Sequence, residues 1–331
     1  MKNTLTILSA ALLLLNSCKT NPPSAPVVPP LEFGKIFVTA NVDGAKIFLD
    51  DNNTSKVTPD TVETTTGTHE LRLEKEGYLP SSQIVEVIKD SLVKLSFTLN
   101  DASLAKVVLL EDFANVSCIP CVNSNKIIET LTTITYGPDK LVAIKYPTNF
   151  PGINDPFYMA NSAACDARMS YYTIFAAPTT IIDGIERPIS TDSISIKAAI
   201  DQQLQLTPRF YVEIRDSVSG QTYFVKVTVR VLDGTGLDFS NIVLHIVITE
   251  TEIEFVNPPG SNGETKFYDV MRKMLPTNSG ESLNGISQTD DVIFEWQTNI
   301  DPGWNLTHIN TIAFIQNVTT KEVYQAGSTF E

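Results

Sequence analysis

Histidine and cysteine are scarce. The 331 residues hold three histidines, His69, His245 and His308, and four cysteines, Cys18, Cys118, Cys121 and Cys165. A structural zinc site takes four such ligands at workable spacing, and no histidine stands near Cys118 and Cys121 in sequence. Only Cys165 offers a further thiol, so neither a metal nor a cofactor is expected. Basic residues are also few: 24 Lys and Arg against 38 Asp and Glu leave a net charge of −14. Residues 208–331 alone carry 8 basic and 16 acidic residues, a net −8, which argues against nucleic acid as a partner. The apolar run Leu5–Leu15 falls well short of the roughly twenty residues that cross a bilayer.

What is present is organised around Lys106–Cys121, KVVLLEDFANVSCIPC. Val107–Leu110 reads as a buried strand, and a polar turn and two cysteines spaced by Ile119 and Pro120 follow. Ile127, Ile128, Leu131 and Ile134 then recur at helical spacing. Strand, turn, Cys-x-x-Cys and helix is the layout of a dithiol redox site. The first cysteine meets free backbone N–H groups and the positive end of the helix dipole, which favour a thiolate. Pro120 suits a first helical turn, where its missing N–H has no partner to lose. The same Cys-x-x-Cys also serves as half of a zinc site.

The stretch resembles thioredoxin. Asp112, six residues before Cys118, stands where thioredoxins carry a buried aspartate. Lys140–Lys145, KLVAIK, resembles the next strand, with Lys145 facing that aspartate. Ala177-Pro178-Thr179 followed by Ile181-Ile182-Asp183-Gly184 resembles the cis-proline loop, its strand and its hairpin. The resemblance implies a thioredoxin-like α/β domain over 102–206, with Cys118 attacking, Cys121 resolving, Asp112 relaying a proton and Lys145 tuning it. Cys118 is expected to be the more exposed sulfur. Pro178 is expected to be cis and to leave backbone groups free for a substrate strand. Helices are expected at Phe157–Tyr172 and Ser193–Leu206, the latter capped by Thr191 or Asp192. Ser117 replaces the tryptophan usual before the first cysteine, and the Tyr146–Phe157 connection is enlarged. Cys165, among alanines, reads as a buried small hydrophobe, with a third redox cysteine as the alternative.

Upstream, Lys2 and Leu5–Leu15 read as an export leader covering residues 1–17. Leu15-Asn16-Ser17-Cys18 resembles a bacterial lipobox, which implies lipidation of Cys18 and an outer-membrane anchor. Residues 18–30 carry five prolines and read as a spacer. Over 31–100, alternating strands separated by Gly and Asx clusters indicate a small antiparallel sandwich. Asn41-Val42-Asp43-Gly44-Ala45, Thr58-Pro59, Gly67-Thr68-His69 and Lys75-Glu76-Gly77-Tyr78 resemble, in order, the PEGA domain, which implies a spacer or binding module.

Residues 208–331 read as seven strands of a β-sandwich. His245 is read as a strand residue on a polar face, and Glu250, Glu252 and Glu254 as a solvated edge. Ile248-Thr249-Glu250, Asp269–Pro276 and Ala313–Asn317 resemble the outer-membrane lipoprotein family named after a twenty-eight-kilodalton protein, over about Lys106–Gln325. Residues 31–100, 102–206 and 208–331 are expected to be three separate bodies. Two functions follow: an anchored thiol–disulfide oxidoreductase acting on exported proteins, or an envelope binding lipoprotein with a structural disulfide.

Overall fold

The computed structural model describes residues 31–75, 78, 80–99, 101, 105–286 and 291–329. The leader, Cys18 and the proline-rich spacer lie outside them. Two compact units divide the chain. The first runs to Arg72 and includes Ser82–Phe97; the second takes Leu73–Ser81 and everything from Thr98.

The N-terminal module is all β: β1 (Phe33–Ala40), β2 (Lys46–Leu49), β3 (Asn52–Val57), β4 (Asp60–Thr65), β5 (Gly67–Glu74), β6 (Ser81–Val87) and β7 (Leu92–Phe97). They form a three-stranded sheet, β4-β1-β7, and a four-stranded sheet, β3-β2-β5-β6. Inward residues at period two, such as Ile36 and Val38 on β1, are fully buried, while Gly34 faces the chain at Ile88. His69 is held structurally, its ring on Asp50 Oδ2 at 2.7 Å and on the Thr65 carbonyl at 2.9 Å.

The second unit begins with β8 (Val108–Ala114), α1 (Cys121–Thr130), which widens into a π-helical stretch over Leu131–Tyr136, and β9 (Leu141–Pro147). Next come α2 (Pro156–Ala160), α3 (Ser162–Tyr172), β10 (Thr179–Ile182) and α4 (Ser193–Gln203). Asp192 caps α4 by accepting from Ile194 N. One helix was expected across 157–172. It breaks at Asn161, whose backbone leaves the helical region (φ −151°) while its side chain bonds the Arg272 carbonyl. Asp155 ahead of Pro156 starts α2, accepting from Phe157 N and Tyr158 N.

The remaining strands are β11 (Phe210–Ser219), β12 (Thr222–Val231), β13 (Ile242–Glu250), β14 (Ile253–Glu254), β15 (Lys266–Phe267), β16 (Val270–Leu275), β17 (Glu281–Ser282), β18 (Val292–Asn299), β19 (Ile309–Asn317) and β20 (Val323–Ser328). Their pairing overturns the expected boundary at residue 207. A single sheet runs β10-β8-β9-β16-β13-β19-β20, with β17 also on β13. The junction is parallel: Val270 stands opposite Lys145, and Lys145 N donates to the Asp269 carbonyl at 2.8 Å. The physical reason is the edge of β9, which would otherwise expose unpaired backbone groups. Residues 102–206 and 208–331 are therefore one body.

Both faces of this sheet are covered. α3 lies on one face, where Ala164, Cys165, Met169 and Tyr172 pack with Leu109 and Phe113 of β8 and Phe314 of β19. On the other face α1 and α4 cover Val108 and Leu110, through Ile128, Ile196 and Ile200. Farther along that face, the three-stranded sheet β11-β12-β18 closes a β-sandwich over Leu244, Ile246 and Ile248. β20 returns to the start of the second unit, since Val323 N bonds the Asp183 carbonyl and Gln325 bridges Ala105 and Val107 beside β8. Gly184 permits this approach: at φ +76° a Cβ would stand 1.8 Å from the Lys321 carbonyl oxygen.

Central placement corrects two expectations. His245 is 3% exposed and stacks on Phe314 at 4.8 Å, because β13 is interior to the sheet and has no solvated face. Glu250 is buried and pairs with Arg272 at 2.9 Å, while Glu252 and Glu254 meet Lys266 in the open.

Candidate active site around Cys118 and Cys121

Cys118 and Cys121 form a disulfide with Cα atoms 5.3 Å apart. Cys121 opens α1 directly after Pro120, and Cys118 sits in the preceding turn, its N–H on the Asn115 carbonyl at 2.9 Å. Both cysteines are buried, at 2% and 0% exposure, whereas Ile119 between them is 72% exposed. Cys118 is the more exposed residue of the two, in the expected order, but only by this small margin, and it too is covered. Its cover comes from the C-terminal half. Asn262 N bonds the Val116 carbonyl at 3.1 Å, and the Asn262 amide reaches the Cys118 carbonyl at 3.5 Å. Gly260 makes the approach possible, since a Cβ there would stand 2.2 Å from Val116 O.

Ala114 at the end of β8 packs with the two cysteines, and Ala177 joins them from the loop before β10. The Ala177–Pro178 peptide is cis, as expected. Asp112 shares its face of β8 with Ala114 by the two-residue period. It is 1% exposed, Thr180 Oγ1 donates to Oδ1 at 3.3 Å, and Oδ2 has no hydrogen-bond partner. Burial pushes its carboxyl up to about 6, against the opposing pull of Lys145 and Thr180.

Lys145 lies opposite Asp112 in the parallel register of β8 and β9. Its ammonium donates to Asn125 Oδ1 at 2.5 Å, and the Asn125 amide in turn reaches Glu264 at 2.8 and 2.9 Å. Asn262 joins the same carboxylate at 2.6 Å. A polar chain therefore runs from the cover of the disulfide, through α1, to Lys145. Asn125, Asn262 and Glu264 were not singled out in the sequence, where they carry no motif. Spacing along one strand or helix does not show a chain closed between distant segments.

The enlarged connection after β9 supports the dithiol turn from its other side. Asn115 Nδ2 donates to the Thr148 and Gly152 carbonyls at 2.6 and 2.8 Å, while its Oδ1 accepts from Ser117 N at 2.8 Å. Asp155 Oδ2 accepts from Val116 N at 2.9 Å. Cys165 is a free thiol, fully buried, and burial pushes it up to about 12, as befits a small core residue.

Residues 33–103 match the PEGA domain. No curated protein matches the chain. Among solved structures, HBP35 of Porphyromonas gingivalis superposes with a TM-score of 0.57 at 16% identity, over 68% of this chain and 75% of that one. That likeness speaks to fold alone. A protein from Agrobacterium tumefaciens aligns over 68% of this chain and 94% of its own, at 11% identity and a TM-score of 0.46. A domain of the outer membrane lipoprotein Omp28 from Porphyromonas gingivalis covers 37% of this chain and 88% of its own, at 16% identity and a TM-score of 0.26. Among the described residues no helix is long and apolar enough to cross a membrane.

Proposed function

We propose that the chain is an envelope lipoprotein, anchored through Cys18, whose residues 102–206 form a thioredoxin-like scaffold for thiol–disulfide exchange on exported proteins. The observation that carries this reading is Asp112. It is a buried carboxylate with one unpaired oxygen, raised towards neutrality, on the strand face that runs to the disulfide. A purely structural disulfide has no use for such a group, which costs stability wherever it is buried and ionised.

In the reducing direction the Cys118 thiolate attacks one sulfur of a client disulfide and expels the other as thiolate. The Cys121 thiol gives its proton to Asp112 and attacks Cys118 Sγ. That step frees the second client thiolate and restores the Cys118–Cys121 bond. Run backwards, the same steps oxidise a client dithiol. Lys145 holds charge opposite Asp112, and Asn125 fixes where that charge sits.

A second reading rests on the burial of both cysteines: a binding or assembly lipoprotein with a structural disulfide. Equilibration in graded thiol–disulfide buffers, with alkylation of the reduced sulfurs, separates the two. An exchanging site titrates reversibly in the folded protein, and Cys121→Ser accumulates mixed disulfides with envelope proteins. A disulfide reduced only on unfolding, with no trapped species, would establish the structural role.

A further inference from the structure

A cleft of about 260 Å³ lies in the second unit away from Cys118 and Cys121, between the end of α1, β9 and the segments around Tyr268 and His308. A volume of about 150 Å³ already holds a benzene-sized molecule. Leu141, Ala143 and Ile312 supply apolar wall, and Glu129, Glu252 and Asp269 supply three carboxylates. Among the described residues no lysine or arginine lines it. We propose that this cleft binds a small organic cation, an ammonium head on an apolar body, with Asp269 as its counter-ion.

The three carboxylates are not equivalent. Glu252 is already shared with Lys266 at 3.5 Å. Glu129 lies towards Tyr268, whose hydroxyl is held above the usual phenol range by burial first and by the Glu129 charge second. Asp269 accepts no hydrogen bond on its side chain from the described residues. Its main chain is fixed, because its carbonyl takes the Lys145 N–H at 2.8 Å. Burial pushes its carboxyl up to about 7, Lys145 pulls it down and Glu129 pushes it up again. A carboxylate so placed gains from any cation that enters, and the walls gain from covering apolar surface. Among the described residues no group of three His, Cys, Asp or Glu is placed to hold a metal ion, and the apolar wall favours an organic cation over a bare one.

The test uses the full chain with its disulfide intact, so that its outcome is independent of redox activity. Phenethylamine, phenethyl alcohol and 3-phenylpropionate are titrated by calorimetry as cation, neutral and anion of similar shape. The amine is expected to bind one to one, at least tenfold more tightly than the alcohol, with no binding of the carboxylate. Asp269→Asn should weaken the amine at least tenfold and leave the alcohol unchanged. Asparagine also suits the backbone there, which sits at φ +55°. Ala143→Phe, filling the wall, should abolish binding of amine and alcohol alike; Thr133→Trp at the exposed lining does the same should the first variant not fold. Equal binding of all three probes, no saturable binding of the amine, or an affinity indifferent to Asp269→Asn would overturn the proposal.

Discussion

Asp112 and Lys145 stand opposite each other on neighbouring parallel strands, yet the lysine ammonium is bound to Asn125 rather than to the carboxylate. The aspartate keeps one oxygen unpaired, and the proposed proton transfer rests on that oxygen.

Asp112→Asn should slow thiol–disulfide exchange by tenfold or more, read as the rate of disulfide reduction by a dithiol at pH 7. It should also stabilise the fold. A carboxyl raised from 3.8 to about 6 binds its proton more tightly when folded. Its stability contribution is full below the unfolded value and is lost as pH rises through about 6. The loss is on the order of 2–3 kcal/mol. Urea denaturation of both proteins at pH 4 and pH 7.5 checks this: the variant's advantage should appear only at the higher pH. Asp269, also raised, contributes the same slope to both proteins and cancels in the difference.

Opening the cover should expose the sulfurs. In Gly260→Val the new side chain meets the Val116 carbonyl and pushes the Asn262 segment away. After mild reduction, Cys118 should then alkylate several-fold faster than in the parent, by mass-resolved quench. An unchanged rate would mean that this segment does not limit access.

Cys165 should stay silent. Fully buried and with a thiol pushed up to about 12, it should resist iodoacetamide at pH 8 in the folded protein. Cys165→Ala should leave the dithiol titration unmoved, and peptide mapping of the labelled protein reads both.

Arg168 should matter for stability far more than for exchange. It binds Glu111 at 2.5 Å and Gln316 at 3.1 Å, and Tyr172 completes the buried cluster on Glu111 at 2.6 Å. Arg168→Met leaves the Glu111 carboxylate buried without its counter-ion, held only by Tyr172, at a cost of about 3–5 kcal/mol in chemical denaturation. Pairing it with Glu111→Gln should recover much of that loss.

Local pattern made many of the strands and the start of α4 at Thr191 or Asp192 readable from sequence, while the burial of Asp112 was legible only through the thioredoxin resemblance. β8 reads VLLEDFA because it is covered on both faces, and of the two cap candidates, Thr191 and Asp192, the structure uses Asp192. Partner choice was not readable. Nothing in Val270–Leu275 says that it will join β9, since alternation fixes which side chains face the same way and is silent on neighbours. The same gap misplaced His245 and Glu250, whose polarity suits an outer surface that a central strand does not have. It also hid the cover of Cys118, which depends on a segment some 140 residues away.

The shared sheet has a practical corollary. A gene fragment ending near residue 207 would leave β9 without its neighbour and strip α3 of half the surface on which it rests. Such a fragment is expected to precipitate rather than behave as a portable oxidoreductase. The strands of that sheet, from β8 to β20, are one inheritable piece, because none of its edges can be cut without baring a neighbour.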